Sequence, residues 1–259
     1  YALYYPRDIL FRHKAYCFYG RVHHYFLCSD GGFNDSHGLM SRNKAKTKVR
    51  SAKGRKIAST RWLQRQLNDP YVDKAKKDGL RGRAAYKLIE MNEKLDFLKP
   101  DQVVVDLGAA PGGWCQVAAK YGANIAAIDL LEVDELDNVE FLQMDFMDDD
   151  APDKLKAILA KYSDDGLADI VMSDMAPNTT GHKQTDHLRI MAVVEAAYYF
   201  AAEVLKPDGV FIAKVFQGGA QNTLLAQMQK DFAKIQHMKP PASRKESSEQ
   251  YLIATGFKG

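Results

Sequence analysis

The chain is poor in sulfur chemistry and has no membrane-length apolar run. Three cysteines occur in 259 residues, Cys17, Cys28 and Cys115, with no C-x-x-C pair among them. They cannot build a disulfide framework, so a reduced, cytoplasmic protein is the expectation. No apolar stretch reaches the roughly 20 residues needed to cross a bilayer, so no membrane association is expected. Cys17, His23, His24 and Cys28 fit no common zinc spacing, and no metal is expected. Two phosphate cradles are also missing, G-x-G-x-x-G and G-x-x-x-x-G-K-[ST]. The first absence counts against a nicotinamide-dependent oxidoreductase.

Charge is present in quantity but unevenly placed. The net charge is +3. Residues 40–87 hold 16 Lys/Arg and three Asp, a net of +13, and residues 1–39 are near neutral at +1. The remainder is therefore −11. A basic lobe on an acidic body implies two ligands of opposite character. A polyanion such as RNA suits the first, and a cationic or hydroxyl-rich small molecule suits the second.

Residues 1–39 differ from the rest. They hold ten of the 25 Phe and Tyr residues, four of the seven His and two of the three Cys. No 2.0 or 3.6 period runs through them, and "MSRNKAKTKVRSAKGRK" opens at Met40. The expectation is a non-native or disordered extension over 1–39, the alternative being a small extra module. Residues 40–58 carry no acid and read as a basic flexible arm. The remaining body runs from 59 to 259, with a helical lobe at 59–99 whose charge suits RNA.

Within that lobe, "STRWLQRQL" (59–67) reads as a helix opening on Ser59, and Pro70 starts another. "RAAYKLIEMNEKLDFL" (83–98) is amphipathic, with Leu88, Met91, Leu95 and Leu98 on one face. From 101 the pattern alternates. Strands are predicted near 102–107, 124–129, 139–143, 168–173 and 209–216. Helices are predicted near 113–121, 152–162, 185–205 and 220–234. This is an α/β chain, a Rossmann-like parallel sheet with helices on both faces. Two final strand-like runs, 234–239 and 249–257, have no helix between them and predict a terminal antiparallel hairpin.

"VVVDLGAAPGGW" (103–114) places a glycine turn after the first strand. Ligands in such sheets bind beyond the carboxyl ends of the strands. Four strands end in an acid there: Asp106, Asp129, Asp145 and Asp174. An acid after the second strand suits ribose hydroxyls, and Asp145 could receive an adenine amino group. Clustered acids repel a pyrophosphate and accept a sulfonium. S-adenosyl-L-methionine has ribose, adenine, positive sulfur and no phosphate, and glycines would let the backbone approach it. Of the methyl acceptors, adenine N6 is disfavoured, because the usual Asn/Asp-Pro-Pro-aromatic is replaced by "DMAPN". Cytosine C5 needs a nucleophilic cysteine, and the core's Cys115 reads as packing.

The sequence resembles the FtsJ-type ribosomal RNA large-subunit 2′-O-ribose methyltransferases, of the bacterial methyltransferase E kind. The likeness runs from about Ser59 to Gly256 and rests on "STRWL", "GLRGRAAYKLIE", "VVVDLGAAPGGW", "SDMAPN", "KVFQG" and "ESSEQYLIATG". It implies a Lys-Asp-Lys-Glu catalytic set at Lys87, Asp174, Lys214 and Glu249. It implies donor contacts at Gly112, Trp114, Asp129, Asp145 and Asp174. It also implies an A-loop uridine of 23S ribosomal RNA, in the large ribosomal subunit, as substrate. No obligate protein partner is implied.

The residues support this separately. A lysine late in a buried strand, as in "VFIAKVF", is costly unless paired or neutral. Lys214 would orient the ribose 2′-hydroxyl and help remove its proton. Asp174 would hold lysine and methyl in line, and Glu249 would orient a lysine or the ribose. Arg81 and Arg83 are candidate phosphate contacts, with Lys74, Lys76 and Lys77 behind them. A cousin acting on transfer RNA or messenger cap, and a non-catalytic RNA-binding assembly factor, are the remaining alternatives. A chain starting at Met40 is expected to keep methyl-transfer activity within tenfold of the full chain. A larger loss would make residues 1–39 functional.

Overall fold

The computed structural model describes residues 47–49, 57–177, 180–216 and 222–259. Residues 46–259 form one compact unit. The 1–39 extension, most of the basic arm, and the Cys17, His23, His24 and Cys28 group lie outside the described residues. Two arm residues that are described bond to the end of the first helix, α1 (Ile57–Leu67), and to the residue after it. Thr47 N–H donates to Asn68 Oδ1 at 2.8 Å and Val49 N–H to Gln64 Oε1 at 2.9 Å. The helix therefore begins two residues before the expected Ser59.

Two helices complete the N-terminal lobe. In α2 (Pro70–Lys77), Pro70 occupies the first turn and Asp69 caps it, its side chain accepting Tyr71 N–H at 3.1 Å. Both choices follow from the backbone groups a helix start leaves free. The next helix, α3 (Ala84–Leu95), buries Leu88 and Met91, with Leu95 partly buried on the same side. Leu98 is buried just beyond it.

The sheet has seven strands: β1 (Val103–Leu107), β2 (Asn124–Asp129), β3 (Val139–Gln143), β4 (Ala168–Ser173), β5 (Leu205–Phe216), β6 (Phe232–Met238) and β7 (Glu249–Phe257). Their order is β3-β2-β1-β4-β5-β7-β6. The first five are parallel, and β7 runs antiparallel to both β5 and β6. The expected terminal hairpin is present, but its second strand enters the sheet between β5 and β6. That insertion puts the chain's last strand in register with β5 and next to the site.

Helices cover both faces, as the doubly apolar β1 demands. Val103, Val105 and Leu107 pack with α5 (Ala151–Tyr162), α6 (Lys183–Val204) and α7 (Asn222–Asp231). Val104 packs on the other face with α3 and α4 (Gly113–Lys120). Alternation along a strand then sends Asp106 to the α3/α4 face as well. Among the described residues, no helix is long and apolar enough to cross a membrane.

Candidate active site

The site lies on the α3/α4 face, at the carboxyl ends of β1, β4 and β5. Register explains its membership. Lys214 of β5 stands opposite Tyr251 of β7, and Phe216 opposite Glu249. Directly opposed residues share a face, and so do residues two apart. Lys214, Tyr251 and Glu249 therefore project together, toward the helix that carries Lys87. Asp174 follows β4, and its N–H donates to Leu107 O at 3.2 Å, which stitches it to the end of β1.

The four residues of the expected catalytic set meet. Lys214 Nζ donates to Asp174 Oδ1 at 2.9 Å and also to the Asp174 carbonyl oxygen. Lys87 Nζ lies 2.7 Å from Glu249 Oε1 and 3.9 Å from Asp174 Oδ1. Both lysines are buried, at 8% and 7% exposure for Lys87 and Lys214. Burial at that level requires partners, and each lysine has a carboxylate. Burial alone would raise the Asp174 carboxyl. The charges of Lys214 and Lys87 and the Tyr251 hydroxyl outweigh it and hold the group below the usual carboxylate range.

Tyr251 is a member that sequence reasoning missed. It is fully buried, and its hydroxyl donates to Asp174 Oδ1 at 2.6 Å while accepting from Lys87 Nζ at 3.0 Å. Burial, then the charges of Asp174 and Glu249, pushes its phenol well above the ordinary value, so it stays a donor. The signal was available: Tyr251 is two residues from Glu249 in a strand-like run.

The expected donor-side residues sit around the glycine turn in unequal positions. Asp129 Oδ2 accepts Ala110 N–H at 2.9 Å and its Oδ1 accepts Leu131 N–H at 2.8 Å. Asp145 Oδ1 accepts Met147 N–H at 2.9 Å. Trp114 is buried, packs tilted against the Tyr251 ring with centroids 5.5 Å apart, and donates its indole N–H to Ala84 O at 2.9 Å. Its ring is thus a packing element between α3 and β7. The glycines also have protein neighbours. At Gly112 (φ +94) a Cβ would meet Arg81 and Val133, and at Gly108 (φ +82) it would meet Met175. Close approach of protein to protein is the reason for glycine there, together with the left-handed backbone.

Asp106 has a different environment from its neighbours. It is fully buried, its Oδ2 accepts the Cys115 S–H at 3.0 Å, and its Oδ1 has no partner. Burial, with the nearby Asp174 and Asp129 charges, raises its carboxyl to about 7, against the Cys115 hydrogen bond. Cys115 packs in the core as expected, and burial and Asp106 push its thiol up. That makes it a poor nucleophile.

The phosphate-contact candidates are divided. Arg81 donates to Pro111 O at 3.3 Å and Glu135 O at 2.8 Å, bracing the turn. Arg83 lies 2.6 Å from Asp69 Oδ2 and also bonds Ala242 O. Lys74 stands 4.4 Å over the Tyr86 ring, and Lys76 and Lys77 are exposed. Among the described residues, no group of three or more His, Cys, Asp or Glu could hold a metal ion.

Comparison with known proteins agrees with this architecture. The model of the FtsJ-like methyltransferase family matches residues 80–257. A ribosomal RNA large subunit methyltransferase E of Azorhizobium caulinodans is 60% identical over 220 residues, covering 83% of this chain and 90% of that protein. The protein of that name from Afipia carboxidovorans is 59% identical over 217 residues, covering 82% and 94%. Among solved structures, a Plasmodium falciparum chain described as a ribosomal RNA methyltransferase is 32% identical with a TM-score of 0.61. The match covers 69% of this chain and 99% of that one.

The Asp106 environment has a measurable consequence. Its native carboxyl holds a proton at pH values where the unfolded chain has released it. The contribution of Asp106 to stability is therefore fully present below pH about 4 and is lost as pH rises to about 7, by at most about 1.4 kcal/mol per pH unit. Asp106→Asn, neutral throughout, is expected to lose that decline. Denaturant melts of both proteins across this range check it, and parallel pH profiles would show an ionised native Asp106.

Proposed function

The chain belongs to the FtsJ-like methyltransferase family, and we propose that it methylates a ribose 2′-hydroxyl of large-subunit ribosomal RNA. On this reading S-adenosyl-L-methionine is the donor and the A-loop uridine the target, and the work is cytoplasmic. The supporting observation is the pair of buried lysines, Lys87 and Lys214, that meet at Asp174 with Glu249 behind one of them. A non-catalytic RNA-binding factor has no use for so costly a burial.

The residues present suit the donor. Asp129 and Asp145 are acceptors for hydroxyl and amino groups, and a carboxylate has about four lone-pair sites, so the turn's N–H bonds leave capacity. Gly113 and Trp114 begin α4, whose first N–H groups the helix itself does not use. The donor supplies an activated methyl group on a positive sulfur.

The chain's contribution is positioning and proton management. Asp174 fixes Lys214 through both its side chain and its carbonyl, so the ammonium has one defined direction. Once Lys214 has lost one ammonium proton to solvent, its free lone pair holds the ribose hydroxyl and takes that proton as the oxygen–methyl bond forms and the methyl–sulfur bond breaks. Glu249 restrains Lys87, and Lys87 with Tyr251 keeps Asp174 ionised and still. No covalent enzyme intermediate is required, since placing oxygen and methyl in line accounts for a large part of such a barrier.

Lys214→Ala is expected to lower the single-turnover rate by about a hundredfold or more while donor and RNA still bind. Lys214→Arg should not rescue it, because a guanidinium keeps its proton. Recovery with arginine would make Lys214 an orienting charge only, and a near-normal alanine rate would refute the assignment. Tyr251→Phe tests the same cluster more finely. Removing a buried hydroxyl between two charged groups typically costs ~1–3 kcal/mol. The expected outcome is a several-fold to hundredfold fall in kcat with KM little changed. An unaltered kcat would reduce Tyr251 to packing.

A further inference from the structure

Two loops frame the place expected to hold the donor: the glycine turn after β1, and residues 130–138 after β2. The second is irregular, so its backbone groups need partners from elsewhere. Asp129 ties the two loops at one place, where its carboxylate accepts both Ala110 N–H and Leu131 N–H. Arg81 ties them at another. Its Nη1 donates to Pro111 O at 3.3 Å and its Nη2 to Glu135 O at 2.8 Å. One planar guanidinium thus spans both loops, a task for which a lysine's point charge is the wrong shape. Val133 is buried between them. A Cβ on Gly112 would fall 3.0 Å from Val133 Cγ1 and 2.5 Å from Arg81 Nη1, so the turn leaves room for this contact and for nothing larger.

Arg81 is itself held in place. Its N–H donates to Gln116 Oε1 at 2.9 Å, and Gln116 Nε2 donates to Gly79 O at 2.8 Å. Gln116 belongs to α4, the helix that the glycine turn opens. The segment between α2 and α3 is therefore fastened to that helix by one side chain and to both loops by another. The guanidinium's partners are carbonyl oxygens rather than carboxylates, so the pairing serves geometry and not charge neutralisation. Arg83, two residues on, bonds Asp69 and the Ala242 carbonyl instead.

Resting on the donor reading above, we propose that Arg81 is a positioning residue for S-adenosyl-L-methionine. It acts through the loops. By fixing the turn against the segment that follows Asp129, it lets the donor meet a site already formed. Preorganisation of this kind raises affinity, because binding no longer has to order the loops. The assignment separates Arg81 from the phosphate contact that its place in the basic lobe suggests.

The test is calorimetric titration of the full chain and its variants with S-adenosylhomocysteine, the spent form of the donor, beside binding of unmodified large-subunit ribosomal RNA. Arg81→Ala is expected to weaken the first affinity about tenfold at full stoichiometry, the size of a lost charged hydrogen bond. KM for the donor should rise to match, with kcat little changed. Arg81→Lys should recover little of the loss, and Gln116→Ala should weaken the same binding several-fold. RNA affinity and its salt dependence should stay parental in Arg81→Ala. Parental affinity for S-adenosylhomocysteine in that variant would overturn the assignment, and a fall in RNA affinity beside it would make Arg81 a phosphate contact. Lost stoichiometry at parental affinity would also overturn it, in favour of a general role in folding. So would full recovery with lysine, which would leave charge alone as the cause. A parent chain that binds no S-adenosylhomocysteine would overturn the donor reading itself, and this assignment with it.

Discussion

One carboxylate oxygen, Asp174 Oδ1, carries the arrangement. Lys214 from β5, Tyr251 from β7 and, at longer range, Lys87 from α3 all converge on it. Without it, Lys214 would be buried with no carboxylate beside it, while Lys87 would keep only Glu249. Breaking a buried ion pair by removing one partner costs about 3–5 kcal/mol, although the intact pair adds little net stability. Such a cluster is a poor device for holding a fold together. Its value is directional, because three elements agree on the position of one lysine nitrogen.

The same strand ends give two carboxyls opposite fates. Asp174 is surrounded by cations and a phenol donor and is held below the usual range. Asp106 lies in the apolar face under α4, has hydrogen bonding from Cys115 but no cation, and is raised to about 7. Burial acts in one direction on both groups, and the presence or absence of a cation decides the outcome. Position on the strand makes that choice: Asp106 lies within β1 and points into the helix layer, whereas Asp174 lies beyond β4 where Lys214 can reach it.

Much of the fold was legible from periodicity. Strands 124–129, 139–143 and 168–173 have the expected bounds, and Pro70 opens its helix. The place of β7 was not legible, because local pattern identifies a hairpin but not which strand it inserts beside. That one fact of topology sets the Lys214–Tyr251 register and brings Glu249 to Lys87. The motif residues were legible as a set, yet their contacts were not. Trp114, expected beside the donor, has its ring buried against Tyr251, which leaves its backbone at the start of α4 for any such contact. The glycine turn looked shaped by a ligand, and at two positions it is shaped by Arg81 and Met175. Composition gave the basic lobe its sign, but pairing determines which arginines remain outward. Arg81 is consumed by carbonyl oxygens, an event no charge count reveals.

The helix α3 links the two halves of the site. Arg83 at its start, Lys87 and Glu90 follow at spacings of four and three, so they share one face. Arg83 holds Asp69 and the Ala242 carbonyl, Lys87 holds Glu249, and Glu90 accepts Ala242 N–H at 2.6 Å and the Tyr71 hydroxyl at 2.8 Å. The loop before β7 is thereby fastened to the same helix that presents Lys87. Lys239 closes the loop on itself through the carbonyls of Lys245 and Ser247. A rotation of α3 would therefore move that loop and the catalytic lysine together. Their relative position is set by contacts to one helix, and alignment of an acceptor with a fixed nitrogen requires such shared support.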